Sequence, residues 1–95
     1  MVKVVAKAHV KTGQTEKFKE LSSEMIKKSR KEEANIAYGL YQDIEDNQIL
    51  TFMEEWKDKA GLDKHMKTDH FVNTMAKLVD LQENDMEINI YTICL

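Results

Sequence analysis

His65 and His70 carry the side chains most easily tuned to move protons near neutral pH, and Asp69 lies between them in the sequence. On one continuous helix a spacing of five sets two side chains about 140° apart, which is poor for a shared metal ion. A break at Thr68 would bring them closer. By spacing alone His65 is a surface helix residue and His70 a helix-start residue beside the cap, and proton transfer is the competing role. Trp56 shares a strand face with Leu50, Phe52 and Glu54. Its plainest role is core packing, but at the mouth of a pocket the same ring would stack on a flat aromatic ligand. A carboxylate among Phe52 and Trp56 is costly if buried without a partner. Glu54 is therefore expected at an edge, hydrogen-bonded, or held with a raised pKa for proton work, the hydrogen-bonded structural role coming first. Tyr38, Tyr41 and Tyr91 suit a half-buried sheet, and a hydroxyl among them would orient a phenol or quinol.

Cys94 is the only cysteine. It excludes an intramolecular disulfide and has no obvious activating neighbour. Dinucleotide-binding, phosphate-loop, nucleophile-elbow and zinc signatures are missing, so any chemistry comes from scattered side chains, and neither a metal nor a cofactor is expected. The run Lys27-Lys28-Ser29-Arg30-Lys31-Glu32-Glu33 reads as a solvated helix face, its cations suiting a helix C-terminus.

Periodicity supplies the elements that hold these residues. Val2 to Val10 alternates as a half-buried strand, with Val2, Val4, Ala6, Ala8 and Val10 on one face. A turn through Gly13 follows, and Thr15 is placed to cap a helix. Phe18, Leu21, Met25 and Ile26 form the apolar stripe of an amphipathic helix from Glu16 to about Glu33, which Asn35 can end in the left-handed conformation. Ile36 to Ile44 and Ile49 to Trp56 read as a hairpin around Glu45-Asp46-Asn47-Gln48. Ile36, Tyr38 and Leu40 share a face of the first of these strands. Asp58 caps a short helix through Lys67, and Thr68 caps another whose buried stripe is Phe71, Met75, Leu78 and Val79. Met86 to Ile93 closes the chain as a strand. The order β-α-β-β-α-β is the α+β, ferredoxin-like arrangement, an antiparallel sheet with both helical regions on one face.

The 95 residues make one domain, 1–95. With 17 Asp+Glu against 14 Lys+Arg the chain does not attract polyanions, so neither nucleic acid nor an anionic membrane is an expected partner. The strand ending at Trp56 has no Lys or Arg, unlike the basic, aromatic sheet of an RNA-recognition module. No signal-peptide pattern or membrane span is visible, which predicts a soluble, cytoplasmic protein. One helix layer covers only one sheet face. Val5, Ile49, Met53 and Tyr41 on the other face predict a sheet-to-sheet homodimer.

The segments Tyr38-Gly-Leu-Tyr41-Gln-Asp43, Glu54-Glu-Trp56 and Leu62-Asp-Lys-His65-Met-Lys-Thr68-Asp-His70-Phe71 together resemble the antibiotic biosynthesis monooxygenase domain family. The family pattern is Tyr-x-Leu-Tyr-x-Asp, a hairpin, Glu-x-Trp, and Leu-x-x-His followed by Thr/Ser-x-His-Phe. The resemblance implies a dimeric α+β barrel of ferredoxin-like protomers and, among its enzymes, oxidation of quinols or phenols by O2 without metal or flavin. On that basis His65 or His70 would accept a proton, Tyr41 or Tyr38 would donate a hydroxyl, Trp56 and Phe71 would wall the pocket, and Glu54 would brace it. Haem-degrading relatives use an Asn, a Trp and a His where this chain aligns Ala6, His65 and Met75, so haem degradation is rejected. Polyketide-tailoring members carry an Asn where Phe52 stands, which weakens that substrate class. A relative that isomerises a phosphorylated signalling sugar shares the two histidines and stays open as an alternative, as does a dimer that only binds a small ligand.

Overall fold

Alternation along two central strands sets the layers. The computed structural model describes residues 1–95. Its elements run β1 (Val2–His9), α1 (Thr15–Arg30), β2 (Asn35–Gln42), β3 (Ile49–Trp56), α2 (Lys59–His65), α3 (Asp69–Leu78), a 3-10 turn (Val79–Leu81) and β4 (Glu87–Thr92). The four strands form one sheet in the order β2-β3-β1-β4. Every neighbouring pair is antiparallel, and Val4 faces Glu54, Ala6 faces Phe52 and Ala8 faces Leu50. This is the ferredoxin-like arrangement, with the helices against the face that carries these residues. Small Ala6 and Ala8 leave room for Phe18 of α1 to approach Phe52, their ring centroids 6.0 Å apart. No helix is long and apolar enough to cross a membrane.

Several local expectations change. Thr15 lies inside α1 rather than capping it: Gln14 is the cap and makes no side-chain hydrogen bond. The helix stops at Arg30, and no residue but Gly13 has a positive φ. Asn35 therefore does not end it in a left-handed turn. It opens β2 instead, and its amide donates to the carbonyls of Ala37 and Glu55. A bulge between Asn35 and Ala37 inserts one extra residue, so Ile36 is half-exposed while Tyr38 is buried. At the end of α3 the chain tightens to three residues per turn. That rotates Val79 outward to 56% exposure and gives its place in the core to Leu81.

Gly61 sets the distance between α2 and the turn after α1. A Cβ there would lie 2.3 Å from Cβ of Ala34, so only glycine permits this approach. The turn is thereby held against α2, and with it the side chain of Glu32.

On the sheet face away from the helices, Val5 and Ile49 are half-buried and Met53 and Tyr41 exposed. Strand β4 lies at one edge, and its Ile88 and Ile90 remain exposed beside the helix layer.

Candidate functional site

His65 is the last residue of α2 and His70 the second of α3. The break between them is locked by Thr68, whose N–H and Oγ1 both donate to the carbonyl of His65, at 3.1 and 2.7 Å. The same Oγ1 accepts from the N–H of Phe71, capping α3. This change of direction cancels the angular separation of a continuous helix and leaves the two imidazoles 6.0 Å apart. Glu32 bridges them. Its Oε2 lies 2.7 Å from Nδ1 of His65 and 2.8 Å from Nε2 of His70.

Glu32 was expected on a solvated helix face; its side chain is instead only 16% exposed. The helix ends three residues earlier than the charge run suggests, and the turn swings the carboxylate inward. No local signal in the sequence marks it, because its partners lie 33 and 38 residues away.

His65 is likewise buried, 1% exposed, where its spacing suggested a surface position. Its ring packs on Trp56 at 4.5 Å, Phe71 at 5.0 Å and Tyr38 at 5.4 Å. Burial holds its pKa below the usual histidine value, with Glu32 opposing that shift. A neutral imidazole that donates Nδ1–H to Glu32 has a bare lone pair on Nε2. That atom is buried and without a partner.

Glu54 accepts a 2.9 Å hydrogen bond from Nε1 of Trp56. Burial pushes its pKa up to about 7, the Trp56 bond opposes this, and the charge of Glu32 adds to it. The hydroxyl of Tyr38 lies near Ser29 and Glu54 without completing a hydrogen bond to either. Burial, aided by the charge of Glu54, pushes its pKa above the ordinary tyrosine value.

A cavity of about 50 Å³ lies between these groups and the β4 edge. Phe52, Phe71, Met66, Met75 and Met86 are among its walls, and Glu54 and His65 are its only polar lining residues. Trp56 and Tyr38 do not line it: both are core residues stacked behind His65. Trp56 is fully buried, so it braces the imidazole where a pocket wall was expected. Phe71 and Glu54 are on the wall, and His70 reaches the group only through Glu32. Tyr41 is not brought in. An odd spacing from Tyr38 sends it to the other sheet face, where it is 55% exposed and lies over Gly39. A separate polar cleft of about 340 Å³ opens beyond Glu32, lined also by Lys57, Asp58, Lys64 and Thr68.

The family model for antibiotic biosynthesis monooxygenase matches residues 1–77. The chain is 40% identical over 91 residues to an uncharacterised protein of Synechocystis sp., covering 95% of this chain and 61% of that one. It thus spans about three-fifths of that relative's length. It is 28% identical over 88 residues to "Putative monooxygenase YcnE" of Bacillus subtilis, covering 93% of each. Among solved structures, a conserved protein of Methanosarcina mazei superposes with a TM-score of 0.93 at 42% identity, over 95% of this chain and 89% of that one. The crystal structure of an antibiotic biosynthesis monooxygenase superposes with a TM-score of 0.94 at 30% identity, over 100% of both chains.

Proposed function

The chain belongs to the antibiotic biosynthesis monooxygenase family, and from that premise we propose that it oxidises a small quinol or phenol with O2, without a cofactor. The observation that carries this reading is that His65, which lines an apolar cavity, keeps a buried Nε2 without a partner. A quinol must lose a hydroxyl proton before it gives electrons readily to O2. His65 Nε2 accepts that proton, while Glu32 holds the tautomer and stabilises the imidazolium that forms. One oxygen atom then forms a C–O bond to the ring. The other leaves as water with two hydrogens from the substrate, so the quinol becomes a hydroxyquinone. The surrounding rings exclude water and hold the substrate against the base.

The cavity is far smaller than the ~300 Å³ at the lower end of ligand pockets. Three of its walls are methionines, flexible side chains that can yield to an entering ring. On the β4 side the lining residues Ile88 and Ile90 are exposed, which offers an apolar way in. The cavity lining contains no Lys or Arg, which favours an aromatic substrate over a phosphorylated sugar. Isomerisation of such a sugar would draw instead on Lys57 and Lys64 in the polar cleft.

Oxygen uptake on a panel of one- and two-ring quinols tests the assignment. His65→Ala is expected to lower kcat by ~10²–10⁴-fold with the fold retained by circular dichroism. Full turnover in that variant removes His65 from the role of base. Absence of uptake with every quinol, alongside isomerisation of a phosphorylated sugar, replaces the oxygenase reading with the second one.

A further inference from the structure

We propose that Glu32, His65 and His70 form a binding site for a divalent transition-metal ion of the zinc class, with water from the adjacent cleft completing its coordination. The three ligand atoms come from separate places in the fold: the turn after α1, the end of α2 and the start of α3. They nevertheless lie within 4.8 Å of one another. Both imidazole nitrogens already aim at one carboxylate oxygen, at 2.7 and 2.8 Å. Around an ion with bonds of about 2.0–2.1 Å, tetrahedral ligands stand roughly 3.3 Å apart. The site therefore needs a contraction of the two rings and a withdrawal of the carboxylate.

Glu32 has room for that movement, because the cleft of about 340 Å³ begins at its side chain. The segment that carries both rings is held in place. Thr68 fixes the break between the helices through the His65 carbonyl, and Trp56 and Phe71 pack against the imidazole of His65.

The donor set decides the class of ion. Two imidazole nitrogens and one carboxylate suit zinc, cobalt, nickel or ferrous iron, whereas calcium and magnesium require mostly oxygen. Three protein ligands leave one position for water, and the cleft supplies it. With metal on Nδ1, the remaining imidazole proton of His65 sits on Nε2. That atom has no acceptor among its neighbours. Metal-binding histidines ordinarily donate this second N–H to a partner, and its loss weakens affinity by ~10–100-fold. The site is thus an exchangeable one, not a permanent structural centre. A loaded site also lacks the free base used for proton abstraction. The proposal does not depend on the oxygenase reading, since binding is measured on the protein alone without any turnover.

Chelator-treated protein titrated calorimetrically with Zn2+, and with Co2+ followed by visible absorption, tests the site. The expected result is one saturable ion per chain and Co2+ bands of a low-coordinate nitrogen and oxygen site. Glu32→Gln and His70→Gln should each weaken binding by at least ~10-fold, with the fold confirmed by circular dichroism. His9→Gln, which removes a surface histidine paired with Glu87, should leave it unchanged. His70 is partly exposed, so His70→Gln decides the matter if Glu32→Gln does not fold. Absence of saturable binding to the wild-type protein, or undiminished binding in a folded His70→Gln variant, overturns the proposal.

Discussion

Glu54 is a carboxyl group held among aromatic side chains with one hydrogen bond, from Trp56. The folded protein keeps its proton up to about pH 7, while the ordinary carboxyl value is 4.5. Between those values the folded state binds more protons than the unfolded chain, so stability falls as pH rises through that window. Above it the cost is on the order of 3 kcal/mol. Glu54→Gln preserves an acceptor for the Trp56 N–H and removes the charge. Urea denaturation at about pH 5 and about pH 8 should show the variant gaining on the wild type only at the higher pH. A constant difference between the two proteins would show that Glu54 ionises freely in the folded state. His65, by contrast, is kept neutral by burial and so retains the lone pair on which the proposed chemistry depends.

At the scale of the element, the site depends on a break between two helices and on one close helix–turn contact. The Thr68 break turns α3 so that His70 faces His65, and the close packing at Gly61 brings the turn bearing Glu32 to both. Gly61→Ala would place a methyl group on Ala34, which must push α2 away from the turn. The expected loss is about 1–3 kcal/mol by overpacking, with a longer Glu32–His65 contact. Thermal unfolding measures the first effect, and the imidazole nitrogen chemical shifts of His65 the second. A stable variant with wild-type shifts would mean that the turn adjusts without moving Glu32. Thr68→Ala should cost ~1 kcal/mol through the lost cap, and reduce the proposed quinol oxidation because the break is no longer tied to the His65 carbonyl. Unchanged stability and turnover in Thr68→Ala would leave the break to the backbone alone.

For the molecule as a whole, the helices protect one sheet face while Met53 and Tyr41 stay exposed on the other. A homodimer that packs these faces together is the expected state in solution. Sedimentation should detect it at micromolar protein. Met53→Glu should shift the population toward monomer, because an unpaired charge buried in the interface is costly. A wild-type monomer at that concentration contradicts the expectation. A dimer undisturbed by Met53→Glu points instead to the exposed edge along β4, where Ile88 and Ile90 lie. Exposed Ile88 and Ile90 line the cavity, so the two modes of association differ in whether a partner would cover that side of it.

The element order, the bounds of β3, the caps at Asp58 and Thr68, and the core face of β1 and β3 were all legible in the chain's local pattern. These are local properties: periods of two and 3.6 residues and short side chains that cap a neighbouring turn. The sequence also brought His65, His70 and Glu54 forward as residues able to do chemistry, and the break at Thr68 hinted that the histidines could meet. What they meet depends on long-range packing. Glu32 joins them from a turn more than thirty residues away, after a helix that ends earlier than its charge pattern suggests. Trp56 moves from the expected pocket wall to the packing behind His65, and Tyr41 falls on the opposite face. The physical reason is that periodicity specifies which side of an element a residue occupies, whereas a site depends on which elements then pack together and how closely. Here that closeness depends on Gly61 beside Ala34, a contact that leaves no mark in the periodicity of either segment.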